Sequence, residues 1–483
     1  MASLFSLRPA RLAGAALAAS LTAACAGVPP APLKANPATE TGTDFLALPG
    51  DAAPSANWWT GFDDPELQRL VETALRASPV LRGADYSVAE TEALLRLALL
   101  GRSPSLSSSA RASADRRLSE DAFETTGNLN LAANWELDAF GRLGGAIAAA
   151  RFDEAAAREL RRDLAVTVAS ETALAYIDLR SGEARLAVAR QNAEAQKESR
   201  DLVRTLFENG RANELDLNRS ETQYRTTLAS LPAFEATITA ARSRLAALTG
   251  NSASLASGLA NTDPATAGRI PSLTTPLAAG TPEEMLRRRP DVRLAEARIG
   301  SALALGRAAR ANLFPRVTLG ANVLSLFSET GVAFSDETVS LSFGPAISWA
   351  GPDLRRVYAQ IDLNDARTLG AAADYEAAVL GALAETETAL SAYVTERQRS
   401  ADLDAAFVSA RRAYDLARLR YEEGLDSFLD VLDAQRTLLD AEDRLAVNEA
   451  EIARRAIRAY RTLGGIWTDA ELAAFRAEQE ENP

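Results

Sequence analysis

A chain of 483 residues with 6% aromatic residues and a net charge of −13 has room for a sizeable core, but its alanine-rich, aromatic-poor make-up favours long helices over compact globules. It holds no histidine and a single cysteine, Cys25, so disulfides and Cys/His metal centres are excluded on inventory, and zinc or thiol redox chemistry with them. The acidic balance argues against a nucleic-acid partner.

At the N-terminus, Arg8 and Arg11 precede the apolar residues 12–24, a stretch too short to span a bilayer and shaped like the core of a signal peptide. Leu21-Thr22-Ala23-Ala24-Cys25 resembles a bacterial lipobox, with its leucine at minus four and Thr22 at minus three. Residues 1–24 are therefore expected to be removed and Cys25 to carry lipid; an ordinary cleaved signal is the alternative. Ala26, rather than an aspartate, follows the cysteine, which in lipoproteins generally points to the outer membrane. Losing residues 1–24 removes two arginines and no acids, which moves the net charge from −13 to −15. Beyond the signal no apolar run of about 18 residues occurs, so a helical inner-membrane protein is excluded and a β-barrel is the remaining way to cross a membrane.

Residues 26–54 are rich in proline and alanine and read as an extended tether. After it the chain is written twice. Ser78-Pro79-Val80-Leu81-Arg82 matches Arg289-Pro290-Asp291-Val292-Arg293, and Pro104 matches Pro315, both displaced by 211 residues. Trp135 matches Trp349, Arg142 matches Arg356, Glu171-Thr172 matches Glu385-Thr386, and Gly210 matches Gly424, all displaced by 214.

Each half changes period in the same order. Residues 66–100 and 282–313 carry apolar side chains at helical spacing, with Pro65 and Pro282 as helix-starting prolines. Strands follow. Leu129, Leu131, Ala133, Trp135 and Leu137 alternate with Asn128, Asn130, Asn134 and Glu136. Val339, Leu341, Phe343, Ile347 and Trp349 alternate with Ser340, Ser342 and Ser348. Val317, Leu319, Ala321 and Val323 form a third apolar face, and residues 105–114 a weaker fourth, so each half holds a strand pair. Long helical stretches come next, residues 141–209 and 354–423, each about 100 Å at 1.5 Å per residue. Turns at Gly210 and Gly424 lead into returning helices over 214–248 and 427–463. Hairpins this long have no core of their own and must be buried by neighbouring helices.

Four strands with one apolar and one polar face cannot close a barrel alone, so copies are expected to combine, with lipid on the apolar faces and a wet lumen on the Asn/Ser faces. Trp135 and Trp349 then suit a membrane-interface belt. A sheet covered by helices is the alternative.

Trp135-Glu136-Leu137-Asp138-Ala139-Phe140-Gly141-Arg142-Leu143, Arg289-Pro290-Asp291, Trp58-Trp59 with Asp64-Pro65-Glu66-Leu67, the stretches around Gly210 and Gly424, and Tyr460-Arg461-Thr462-Leu463-Gly464-Gly465-Ile466-Trp467 resemble the TolC-like outer-membrane efflux family, and within it the OprM- and NodT-like lipoproteins. The likeness runs from about residue 58 to 467. It implies a mainly α fold with a β-barrel part: two structural repeats per protomer, long antiparallel coiled-coil helices forming a periplasmic α-barrel, and four transmembrane strands per protomer, giving a 12-stranded barrel in a homotrimer. It also implies an equatorial mixed domain around 249–280 and the C-terminus, and a passive exit duct for drugs or other small molecules in the Gram-negative outer membrane. The implied partners are a periplasmic adaptor and a proton-driven inner-membrane transporter of the resistance–nodulation–division class. Trp349-Ala350-Gly351-Pro352-Asp353 departs from the family, which usually has a Pro-Leu-Phe stretch there. The expected layout is 1–24 signal, 25–57 lipidated tether, 58–266 and 267–467 the two repeats, and 468–483 a tail.

Around the second turn Asp426, Asp430 and Asp433 are spaced i, i+4, i+7, which on one helix places three carboxylates on one face; a solvated acidic face is the plain alternative. The first-half equivalents are Ala212, Asp216 and Arg219. By resemblance, Asp430 and Asp433 match aspartate rings of a closed periplasmic gate, Leu429 an apolar constriction, and Tyr421 and Asp216 a polar network holding it; Asp426 stands where one member has an arginine. The turns at Gly210 and Gly424 match adaptor-docking tips. No cofactor or metal is expected. Lys34 and Lys197 stand in no Walker A motif and no Ser/His pair exists, so an enzyme is not expected. A type I secretion channel and a coiled-coil surface scaffold are the competing readings.

Overall fold

The computed structural model describes residues 45–48, 57–116, 123–251, 268–328 and 339–464. Cys25 and the signal, the loops joining each strand pair, residues 252–267 of the 249–280 segment, and Trp467 with the tail lie outside the described residues. A 3-10 turn at Trp58–Phe62 is followed by α1 (Pro65–Ala77), α2 (Pro79–Leu100), β1 (Ser105–Arg116), β2 (Phe123–Leu137), α3 (Arg142–Glu208), α4 (Glu214–Leu248), α5 (Pro282–Arg288), α6 (Pro290–Ala311), β3 (Arg316–Ser328), β4 (Val339–Ser348), α7 (Arg355–Glu422) and α8 (Phe428–Thr462). Two compact units form. Among the described residues one draws on Val88–Ala157 and Leu294–Glu376, the other on Arg158–Arg293, Ala377–Pro483 and Ala38–Ser87, so each contains parts of both sequence halves.

The helices expected over 66–100 and 282–313 are each two helices. Pro65 and Pro282 do start them, with Asp64 accepting from the amides of Glu66 and Leu67 at 3.0 and 2.9 Å and Thr281 accepting from Glu284 at 3.3 Å. Pro79 and Pro290 then break them. Proline has no N–H to donate and forces the preceding residue out of the helical region; Ser78 and Arg289 take ψ values of 125° and 121°.

In the first unit the strands form one antiparallel sheet in the order β1-β2-β3-β4. The register sets Leu131 beside Val323 and Val323 beside Leu341, Trp135 beside Leu319, and Leu137 beside Val317 and Val317 beside Ile347, and it pairs Leu106 and Ala110 of β1 with Ala133 and Leu129. All four apolar faces thus share one side, where Leu341, Phe343 and Ile347 are 70–77% exposed. Ser107, Asn322 and Ser342 align across the other side. The strand-to-helix connections repeat the duplication in their bonds. Trp135 Nε1 donates to the Arg102 carbonyl at 2.8 Å, and Trp349 Nε1 to the Leu313 carbonyl at 3.0 Å, so each indole ties the end of its strand pair to the turn before the pair began. At the first connection Arg142 grips Glu136 at 2.8 and 2.6 Å, and Asp138 accepts from the amides of Leu143 and Gly144 at the start of α3, where a carboxylate meets the helix dipole favourably. At the second, Gly351 lies under the Trp349 ring, which would come within 2.6 Å of an added Cβ. That contact accounts for the glycine in a stretch that departs from the family pattern.

In the second unit Trp58 stacks on Tyr460 with ring centroids 5.5 Å apart, and the amides of Leu46 and Ala47 donate to the Glu387 carboxylate at 3.2 and 2.8 Å. Arg289, at the second helix break, donates to the Thr462 carbonyl, Asp291 and Glu385. Its first-half counterpart Ser78 is buried with its hydroxyl unpaired.

Gly145 of α3 sits where an added Cβ would lie 2.9 Å from the Ala304 carbonyl oxygen and the Ala308 Cβ of α6, whereas the three atoms nearest to one on Gly300, at 2.5–2.8 Å, all belong to the ring of Phe152, a 38% exposed side chain rather than backbone. Gly145→Val is therefore expected to cost about 1–3 kcal/mol and to lower the unfolding midpoint of the detergent-purified protein well below that of Gly300→Ala. Equal midpoints would refute the close backbone approach.

Candidate functional site

The two hairpin turns are built alike. In the first, Gly210 takes φ +70° and donates to Phe207, while Arg211 donates to Leu206; in the second, Gly424 takes φ +72° and donates to Tyr421, while Leu425 donates to Arg420. This is the paired bond pattern of a Schellman cap, which places its penultimate residue in the left-handed region and so selects glycine. A Cβ on either glycine would meet nothing within 4 Å, so conformation and not crowding requires them.

The turns close on a small core in which Val203, Phe428, Val431 and Leu432 are buried, with Leu217, Tyr414 and Tyr421 packed against it. The Tyr421 and Phe428 rings lie 5.4 Å apart. The Tyr421 hydroxyl has its pKa raised above the usual range, first by burial and then by the Asp216 carboxylate, and Leu217, next in sequence to Asp216, packs against the same core as Tyr421. Asp216 also lies 3.8 Å from Arg219.

The three-carboxylate face does not form. Helix α8 begins at Phe428 with Ser427 as its N-cap, which leaves Asp426 in the turn, outside the helix whose spacing was to align it. Asp426 instead takes both arms of Arg420 at 2.6 and 2.9 Å, and that guanidinium holds its carboxyl below the usual range. Only Asp430 and Asp433 share the helix, at i, i+3. Asp430 accepts from the Ser427 amide at 3.1 Å and the Ser427 hydroxyl at 2.7 Å, the reach-back half of a capping box. Asp433 has no hydrogen-bond or ion-pair partner for its carboxylate among the described residues. Leu429 is 49% exposed, and its first-half equivalent Leu215 is 56% exposed.

Sequence reasoning missed the cap and the Arg420–Asp426 pair. The Ser-x-x-Asp spacing at 427–430 was the available signal for the first; the second depends on a turn that brings residues six apart together. Among the described residues no group of three or more Asp, Glu or Cys is placed to hold a metal, and no helix is long and apolar enough to cross a membrane.

A family model described as outer membrane efflux protein matches residues 70–251 and 281–465, one match on each side of the duplication. The chain belongs to the outer membrane efflux protein family. Within that family it is 30% identical over 459 residues to the toluene efflux pump outer membrane protein TtgF of Pseudomonas putida, covering 91% of this chain and 92% of the relative. It is also 30% identical over 482 residues to the outer membrane protein OprJ of Pseudomonas aeruginosa, covering 96% and 97%. The outer-membrane channel OprN superposes with a TM-score of 0.80 at 33% identity, over 89% of this chain and 97% of that one. The fold is therefore TolC-like, and Trp135–Leu143, one of the stretches that carried the resemblance, is its bonded strand-to-helix connector.

Alanine at 430 or at 433 gains the same interior helix propensity, so the difference between the two variants reports the cap together with the favourable place of the Asp430 carboxylate in the first turn of α8. Asp430→Ala is expected to be less stable than Asp433→Ala by about 0.5–1.5 kcal/mol, read as separated thermal midpoints of the purified protein. Coincident midpoints would mean that the Ser427–Asp430 bonds contribute nothing.

Proposed function

We propose that this protein is the passive exit duct of a tripartite efflux pump, a homotrimer in the Gram-negative outer membrane that passes drugs or other small organic molecules to the exterior. The observation that carries the reading is the sheet. Its strands place apolar side chains on one exposed face and Asn/Ser on the other, and β1 and β4 are edges with unpaired backbone groups. Three such sheets would pair edge to edge into twelve strands, with lipid outside and water within. The 67- and 68-residue helices α3 and α7, with their return helices, would supply the periplasmic tunnel.

Toluene export by TtgF's pump and the efflux role of its kin support a small-molecule cargo; a proton-powered transporter of the resistance–nodulation–division class would drive it. A periplasmic adaptor would engage the turns at Gly210 and Gly424. Lipid on Cys25 would hold the chain to the membrane, with Trp135 and Trp349 at its surface, and no catalysis or cofactor is needed. The domain layout is the one given by the repeats, 58–266 and 267–467, behind signal and tether. Complementing a deletion strain with this gene should restore efflux of toluene or a fluorescent dye. Restored outer-membrane protein without restored efflux would overturn the reading.

At the turns, Leu429, Asp430 and Asp433 would form rings across the trimer, with Tyr421 and Asp216 bracing them. Carboxylate rings favour cations and leucine rings resist wetting, so the tip can gate without chemistry. Because Asp433 is the carboxylate with no structural bond, Asp433→Ala should raise single-channel conductance and weaken block by divalent cations while leaving the fold intact. Unchanged conductance and block would remove Asp433 from the gate.

A further inference from the structure

Within the helical unit a cavity of about 680 Å³ opens between α3, α4, α7 and α8, a size in the range of small-molecule sites. Five arginines line it, Arg244 of α4 and Arg454, Arg455, Arg458 and Arg461 of α8, against three carboxylates, Glu171, Asp178 and Glu385. In a chain of net charge −13 this is an inversion of sign.

The carboxylates are already engaged. Glu171 accepts from Arg244, Asp178 accepts from Arg454 at 2.9 Å, and Glu385 accepts from Arg289 at 2.9 Å. Glu451, at the head of the arginine row, is shared by Arg454 at 3.2 Å, Arg455 at 2.8 Å and Arg458 at 3.8 Å. Arg461 comes no nearer than 3.7 Å to Glu171. Arg458 and Arg461 thus have carboxylates at 3.8 and 3.7 Å but none within hydrogen-bond range, and both line the cavity.

The helix itself does not call for Arg454, Arg455 and Arg461. The duplication supplies the comparison: 214 residues earlier, the equivalents of Arg454, Arg455 and Arg461 are Ala240, Ala241 and Ala247. The same turns of the same helix form in α4 with alanine. Only Arg244 and Arg458 are equivalent positions, and both line the cavity. The opposite side of α8, carrying Glu449, Ile452, Ala453 and Ala456, lies along a separate groove with the 268–273 segment.

We propose that this cavity binds polyvalent anions carrying two or more carboxylates or phosphates. Arg454 to Arg461 spans seven residues, roughly 10 Å of helix, so a ligand with separated anionic groups can engage several guanidinium forks at once, where a monovalent ion engages one. Resting on the channel reading, the site is a station on the tunnel wall for anionic cargo.

The test uses the full-length protein purified in non-ionic detergent, with citrate and pyrophosphate as probes and acetate as the monovalent reference, followed by titration calorimetry at low and at near-physiological salt. Both probes should bind saturably, more weakly as salt screens the charges, and at least ten-fold more tightly than acetate. The double variant Arg458→Gln with Arg461→Gln should lose ten-fold or more in affinity at an unchanged melting midpoint. Should that variant unfold, Arg461→Lys, which keeps the charge and loses the fork, carries the same expectation of weakened binding. Probes that bind no better than acetate, or variants that bind as tightly as the parent, overturn the proposal. Bilayer conductance separates the two readings. Citrate binding without conductance would refute the channel and leave the site, whereas normal conductance with no citrate binding would refute the site and leave the channel.

Discussion

An antiparallel sheet of four strands with a bare apolar face and two open edges is an unfinished object, and the rest of the molecule follows from that. Each edge strand carries N–H and C=O groups that need partners, and Leu341, Phe343 and Ile347 stand in solvent on a single chain. Nothing in the described chain covers that face with a helix, as a soluble α+β protein would. The arrangement has a stable outcome only when the edges pair with other strands and the apolar side meets a medium that does not penalise it. The long helices share the same incompleteness, since a hairpin of single helices buries little of its own surface.

What the single chain does settle is how strands become helices. Two tryptophans donate their indole protons to carbonyls at the entrance of the strand pair they terminate, and at the first of these connections a carboxylate caps the helix that follows. These bonds fix the direction in which α3 and α7 leave the sheet. The proline breaks do the same on the way in, turning one expected helix into two in each half. In the second half Arg289 occupies the break and binds three elements together, whereas in the first half the position is a buried serine whose hydroxyl bonds nothing.

Much of this was legible in the residues. Strict alternation of Leu129 to Leu137 and of Val339 to Trp349 gave the strand faces, and the register confirms that they align across β2, β3 and β4. The length of the helical stretches gave the hairpins to within a residue or two at most ends. What periodicity could not show was where local chemistry overrides it. Helical spacing continues through Ser78–Pro79 and Arg289–Pro290, and only the missing amide of proline ends the helix there. The acidic stripe failed for a related reason: i, i+4, i+7 has meaning only inside a helix, and Ser427, by capping, starts the helix after Asp426. The pairing of Arg420 with Asp426 and the arginine-lined cavity are products of chain reversal, which no local window contains.

The doubled indole bonds also make the protein its own reference. Where both halves place the same contact at the same repeat distance, as at Trp135 and Trp349 or Gly210 and Gly424, the fold is sufficient reason for the residue. Where they diverge, as Ser78 from Arg289 or Ala247 from Arg461, the common backbone has shown that it stands without the second choice. Each such pair is a natural substitution already tolerated by an equivalent frame, so exchanging residues between the halves separates what holds the molecule up from what it has been given to do.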